Sequence, residues 1–487
     1  MEPRKDQLYS SFKSYVECVV ITLREKLSRK TDPNRNIDLA HIDQASRLRS
    51  ITENLENSKE FRNLVSNFSI ALGREAKEGG KERHALKNFF RRSGLYLGIS
   101  EGKPLNVDES FERISSVFSE RRIKITNLRL IEEVYFPEEA INFDEFGIER
   151  FSKAKFDELV DNRLNSVFYP YAQLDTDKLC HYWFIKEEKY KKAEQKDFFS
   201  IDLGITWDEL FRVSRTFPDR VIQLLTLFDW ETKWIAETDD IKQDTGWLRF
   251  STPIRLYMTD DIFQNPYPCP NLSGLEFLPY FDATGEEIGE APTFPIDLEK
   301  DELERLKSYV RETQRFLNTV NLEECEWEFI NVAMGYLAKA FTTDGLEQLL
   351  WHVTVLDALL GESNEVVGSL KRRLPNIFRK TEAEKKKIRK TIDELYTFRS
   401  DLVHGNIFKN DIFQGHLREA RRIARNSLVW FLDFLTIIHK ELARDNIPLK
   451  NYPKRGDFLI LLDSEKSDLE RLGILMQKLP KTFPNLS

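Results

Sequence analysis

The feature that most restricts what this chain can fold into is a run of helical patterning from about residue 299 to residue 442. Apolar residues recur there every three to four positions over segments 299–318, 325–341, 345–361, 365–378, 382–403 and 411–442, with only short turns between them. Helices joined by short turns pack antiparallel to their neighbours, so the spacing predicts a bundle. The last segment sets Leu417, Ala424, Phe431 and Ile438 at seven-residue intervals with Leu428 and Leu435 between them, a seam for packing on another helix.

Upstream the pattern changes. Residues 1 to about 100 carry helical spacing in YSSFKSYVECVVITLREKL and FRNLVSNFSIALGREA, separated by the loop-like KTDPNRN and KEGGKE. From about 105 to 295, RIKITNLRLIEEVYF and TPIRLYMTD bunch β-branched and aromatic residues as strands do, with one clear helix at TFPDRVIQLLTLFDW. The stretch NPYPCPNLSGLEFLPYFDATGEEIGEAPTFPID is dense in Pro and Gly, has no convincing periodic element and marks the best boundary. A chain of 487 residues exceeds one core, and the expected divisions are a helical amino-terminal segment (1–104), a mixed α and β sensor or regulatory domain (105–297), a helical bundle (298–445) and a carboxy-terminal extension (446–487). The expected class is α+β, mainly α.

Hydrophobic residues at 41% and charged residues at 32% suit packed cores and exclude a disordered chain. The charged amino terminus has no secretory pattern, and the longest apolar stretch, NSLVWFLDFLTII, is too short for a bilayer and interrupted by Asp433, so a cytoplasmic protein without membrane attachment is expected. Cys18, Cys180, Cys269 and Cys325 lie far apart without paired spacing, so no metal site or disulfide framework is expected. No Walker A loop, dinucleotide fingerprint or HExxH is present, and no cofactor is expected. The aromatic clusters VFYPYA and HYWF read as core.

Segment 382–403 carries the chemistry. Its apolar stripe runs Ile388, Ile392, Leu395 and Leu402, and at 100° per residue Arg399 falls inside that stripe. A buried guanidinium needs a partner, which is either a structural carboxylate, such as Asp357 or Glu362, or an anionic ligand. His404 follows five residues later, just before the helix stop Gly405-Asn406, where a helix C-terminus favours the imidazolium. It is either a plain cap or an acid or base working near neutral pH. The spacing alone is weak, since Arg35 and His41 stand at nearly the same separation in the polar RNIDLAH. Context has to decide.

That context is the phrase LYTFRSDLVHG, preceded by LDALLGESNEVVGSLKRRLPNIF. Over roughly 325–445 it resembles the carboxy-terminal HEPN domain of the Apea-like group of bacterial anti-phage abortive-infection proteins, through Leu395, Tyr396, Arg399, Ser400, His404 and Gly405. The resemblance implies a metal-independent endoribonuclease, a toxin-like effector in phage defence, with Arg399 and His404 catalytic. It also implies a homodimer through the carboxy-terminal bundle in which two copies of the motif form one cleft, and a phage-derived trigger. Asp357 stands where relatives often carry Glu, which shortens the carboxylate's reach to Arg399.

Chemically, Arg399 would grip the scissile phosphate while His404 exchanges a proton with the ribose 2′-OH or the leaving oxygen. Positions five apart on a helix point about 140° away from each other, so convergence requires unwinding at Gly405 or a second protomer. Ser400 and Asp401 either orient the His or the substrate or are ordinary polar helix residues. Between Lys371 and Lys390 ten basic residues, including Arg372, Arg373, Lys386 and Lys387, face two acidic ones, Glu382 and Glu384. Arg418, Arg421, Arg422 and Arg425 recur at three- and four-residue steps, so they are expected to form one basic ridge. Either these are solvated faces or they are the RNA surface that a chain of net charge −8 otherwise lacks. The rival to the nuclease is a non-catalytic HEPN-type module that dimerises or binds nucleic acid, with Arg399 as a structural ion pair.

Overall fold

In the computed structural model the described residues are 2–28, 42–73, 80–118, 121–131, 134–193, 220–230, 255–263, 277–281, 287–292, 294, 296–343, 345–362, 364–378, 381–405 and 410–478. The loop KTDPNRN, Arg35, His41, Cys269, Arg379 and Lys380 lie outside them. The architecture is α+β and mainly α, as the patterning predicts. Instead of four divisions, the described residues fall into two units, one drawn from 1–130, 139–211 and 253–292, the other from 131–138, 212–252 and 293–487.

The first unit opens with α1 (Glu2–Ser28), α2 (Ile42–Leu55), α3 (Lys59–Ala71), α4 (Lys81–Arg92), α5 (Leu95–Ser100) and α6 (Val107–Ser115). Leu8, Phe12, Tyr15, Val19 and Leu23 recur at helical spacing along α1 and are buried. A sheet ordered β3-β4-β5-β1-β6 follows, from β1 (Arg121–Ile131), β3 (Ala140–Asn142), β4 (Gly147–Arg150), β5 (Trp183–Ala193) and β6 (Arg255–Thr259). Short helices α7 (Lys153–Leu159), α8 (Asn162–Phe168) and α9 (Thr176–Leu179) connect β4 to β5. Leu164, Val167 and Phe168 of α8, together with Phe263, join the core built by α1 to α5. The predicted division at residue 104 therefore has no counterpart, because helices and sheet-side residues share one apolar core. A further correction concerns the Pro- and Gly-rich stretch, which contains a hairpin of β7 (Phe277–Phe281) and β8 (Glu287–Pro292) with Pro279 opposite Glu290. Among the described residues β7 pairs with β8 alone, and a strand edge without a neighbour tolerates a residue that cannot donate.

The second unit is the bundle. A parallel pairing of β2 (Val134–Tyr135) with β9 (Ile296–Asp297) precedes it, and α10 (Arg220–Leu225) packs on α11 (Lys300–Thr319) and α12 (Glu328–Ala340). Then come α13 (Gly345–Leu360), α14 (Val366–Phe378), α15 (Glu382–Val403), α16 (Asn410–Arg444), α17 (Arg455–Leu462) and α18 (Asp468–Lys478). The seam of α16 is buried throughout, and the helix packs on α12 and α13. The described residues 446–478 are tied to the bundle. Trp327, fully buried, donates from its indole to the Pro453 carbonyl at 2.7 Å, and Arg455 at the start of α17 caps the end of α13 through the Ala358 and Gly361 carbonyls at 3.1 and 2.7 Å. Carbonyls at the end of α13 thus anchor α17.

Candidate functional site

The site helix α15 begins with a capping box, in which the Thr381 hydroxyl accepts from the Glu384 N–H and the Glu384 carboxylate accepts from the Thr381 N–H at 2.8 Å. Ile388, Ile392, Leu395 and Phe398 bury its inner face. Leu402 is only half-buried, so Phe398 takes the inward place that the patterning gave to Leu402. Arg399 lies at the margin of this stripe and is half-buried.

Among the described residues no carboxylate forms an ion pair with Arg399 and no hydrogen bond reaches it, and its Nε is buried without an acceptor. The two acids expected as structural partners are engaged elsewhere. Asp357, on α13, accepts a short hydrogen bond from the Tyr396 hydroxyl. Glu362 pairs with Arg373, and with Arg372 at 3.8 Å. The Arg399 guanidinium carbon stands 5.9 Å from the Tyr396 ring centroid, in cation–π range. Burial raises the Asp357 carboxyl above its usual range, opposed by the Tyr396 hydrogen bond and the Arg399 charge. Burial and the same carboxylate push the Tyr396 phenol far above its ordinary value, so it stays protonated and donating.

His404 is exposed and caps α15, its N–H bonding the Ser400 carbonyl at 3.0 Å. The turn follows it: Gly405 adopts φ +89° and bonds the Leu402 carbonyl at 3.0 Å. Helical geometry therefore persists through the residues separating Arg399 from His404, and one chain does not bring the two side chains together by unwinding between them. Ser400 is exposed and Asp401 half-buried, and no side-chain hydrogen bond links either to His404. A second histidine, which apolar periodicity does not single out, faces the motif helix from α16: the His416 ring lies 4.4 Å from that of Phe398 at 32°. Phe398 and His416 each sit within about two turns of the α15–α16 connection, a relation that chain spacing alone could have supplied.

The basic residues divide sharply. Arg373 is 1% exposed and held by Asp463, Glu362 and the Leu360 carbonyl. Arg421 is buried beside His352, and Arg425 is spent on the Leu227 and Phe228 carbonyls at 2.9 and 3.0 Å and on Asp229. These three leave the expected RNA surface, and the single ridge on α16 becomes two faces. Arg421 and Arg425 lie along the margin of the buried seam between Leu417 and Leu428, whereas Arg418 and Arg422 face outward. Arg422 pairs with Glu419, Arg372 with Glu365, Lys371 with Asp393, and Lys385 with Glu382 and Glu465. Lys386, Lys387 and Arg418 are exposed and carry no ion pair among the described residues.

Among the described residues no group of three or more His, Cys, Asp or Glu is placed to hold a metal, and no helix is long and apolar enough to cross a membrane. No family model, curated protein or solved structure matches the chain.

Proposed function

We propose that this chain is a metal-independent endoribonuclease of HEPN type, cutting RNA by attack of the ribose 2′-OH, with Arg399 and His404 as the catalytic pair. The observation that carries the reading is Arg399, which makes no hydrogen bond or ion pair among the described residues. A half-buried guanidinium with a buried, acceptorless Nε has an unmet demand for an anion, and a phosphate meets it with planar, bidentate geometry. Lys386, Lys387 and Arg418 are the open cations available to the flanking backbone. Arg372 and Arg422 are exposed as well, and a phosphate would compete there with Glu365 and Glu419.

The site is completed by a second copy of the chain. Arg399 and His404 diverge on an unbroken helical segment, and Val403 at 61% and Ile412 at 47% exposure leave apolar surface beside the motif. Two such surfaces related by a two-fold axis would bring the Arg399 of one copy towards the His404 of the other. Free cleavage of RNA harms the cell that makes the enzyme. A cytoplasmic effector in phage defence, held in check by upstream residues and released by a phage-derived trigger, accommodates that cost.

The test is incubation of the full chain with tRNA or total RNA in EDTA. Cleavage lost in both Arg399→Ala and His404→Ala, with folding retained, supports the enzyme. Binding without cleavage under every tested trigger makes the bundle a nucleic-acid-binding module instead.

A further inference from the structure

Asp357, Tyr396 and Arg399 meet where α13 packs against α15. Tyr396 and Arg399 are three residues apart and share one helix face. The carboxylate feels the Arg399 charge, yet the hydrogen bond it accepts comes from the phenol. A half-buried carboxylate and a guanidinium that contact the same side chain ordinarily close into a direct, often bidentate pair. Here the phenol occupies the carboxylate first.

We propose that Tyr396 is a positioning residue: by donating to Asp357 it holds that carboxylate off Arg399, so that the guanidinium is oriented by the ring and by the acid's charge but keeps its donors for an incoming phosphate. For its function this rests on the nuclease reading above; for its chemistry it rests on the Tyr396–Asp357 hydrogen bond and on the Arg399 guanidinium standing over the Tyr396 ring. A direct Asp357–Arg399 pair would use the same planar donors that a phosphate needs, and substrate would have to displace it. With the phenol interposed, the acid partly compensates the half-buried positive charge without blocking it.

The experiment compares the full chain with Tyr396→Phe and with Tyr396→Phe/Asp357→Asn. The probe is a fluorescent 2′-O-methyl RNA oligonucleotide, which cannot be cut by 2′-OH attack, read by anisotropy. A second readout that needs no RNA is the exchange of the Arg399 Nε–H under arginine-selective ¹⁵N labelling. Freeing Asp357 to capture Arg399 should raise Kd about tenfold and slow the Nε–H exchange in the single variant, and the double variant should return both to within about twofold of the parent. A Tyr396 that merely ties α13 to α15 would give a loss that Asp357→Asn does not rescue, and unaltered Nε–H exchange in the single variant; either result overturns the proposal. If the parent fails to cut RNA while the exchange pattern holds, the nuclease reading falls and the positioning role stands. If the parent cuts RNA and Tyr396→Phe neither weakens binding nor alters exchange, the positioning role falls alone.

Discussion

Arg373 on α14 meets Asp463, at the end of α17, through both Nε at 2.9 Å and Nη2 at 3.1 Å, and only 1% of the Arg373 side chain is exposed. The same guanidinium donates to the Leu360 carbonyl at 2.7 Å, so one residue satisfies the end of α13 and fastens the last part of the chain to the bundle. Asp463→Ala would leave a buried cation with one carboxylate fewer, an effect on the order of 2–4 kcal/mol once the partial exposure of Asp463 is allowed for. In thermal unfolding the bundle transition should move down by several degrees, with Arg373→Met recovering part of the loss in the double variant. An unchanged melting temperature in Asp463→Ala would refute this account of the carboxy-terminal helices.

Arg425 gives a different kind of tie. It clasps the Leu227 and Phe228 carbonyls, while Val221, Ile222, Leu224 and Leu225 of α10 are buried against the bundle. Arg425→Gln should leave the bundle folded but loosen residues 220–230, visible as faster proteolysis within that segment. Equal protection in parent and variant would mean that the apolar face of α10 suffices without the clasp.

The open cations should be separable from the buried ones. Replacing Lys386, Lys387 and Arg418 with Gln is expected to leave the melting temperature unchanged, to weaken RNA binding and to lower the slope of log K against log salt by about 0.7 for each phosphate of single-stranded RNA that is no longer neutralised. Arg421→Gln should instead destabilise the bundle, since the residue is 6% exposed. An unaltered salt slope in the triple variant would move RNA to another face.

Acid should weaken the bundle through His352. The residue is fully buried, and its burial together with the Arg421 charge holds the imidazole well below its ordinary value near 6.5. The folded state therefore refuses a proton that the unfolded state accepts. Stability from this group is complete above pH 6.5 and declines below it, by about 1.4 kcal/mol per pH unit until the folded-state value is reached. The urea midpoint of the bundle should fall between pH 7.5 and 5, and His352→Leu should flatten that dependence. Parallel profiles in parent and variant would assign the acid sensitivity to other groups.

What the sequence disclosed followed from how directly pattern fixes position. Segment 382–403 is α15 to the residue, because a Thr381–Glu384 capping box and a Gly405 stop bound an uninterrupted stripe. The hairpin of β7 and β8 was illegible because its strands are short, pair only with each other among the described residues, and include a proline. The arginines misplaced on the surface had left a usable signal. Arg421 lies four residues after Leu417 and three before Ala424, and Arg373 lies between Leu370 and Leu374, so both belong to apolar stripes by the same rule that singled out Arg399. Periodicity says that such an arginine turns inward. It does not say whether a carboxylate waits there, and that difference separates Arg373, which is paired, from Arg399, which forms no ion pair among the described residues.

Cleavage should leave a 2′,3′-cyclic phosphate and a 5′-hydroxyl, persist in EDTA, and fail on substrates with a 2′-deoxy group at the cut position. The proposed pair is a guanidinium and an imidazole, and neither anchors two divalent ions as clustered carboxylates do, so the nucleophile has to come with the substrate. The neighbouring 2′-OH is the hydroxyl already held next to the phosphorus, which removes the entropic cost of bringing one in. Arg399, with no ion pair to displace among the described residues, can follow the charge that builds on the phosphoryl oxygens, and His404, exposed at the end of α15, can take or give the proton. His404→Ala should then lower kcat by about 10²–10⁴ while RNA affinity changes little, as expected of a group needed mainly in the transition state. Arg399→Ala should lower both, since its hold on the phosphate begins in the ground state. Mixing the two inactive variants should restore one intact site per heterodimer, half the activity of a parent dimer, if each site combines Arg399 of one copy with His404 of the other. Product ends are read by 3′-end ligation chemistry and mass spectrometry, and a 5′-phosphate, or activity abolished by EDTA and restored by magnesium, would show that a different chemistry runs at these residues.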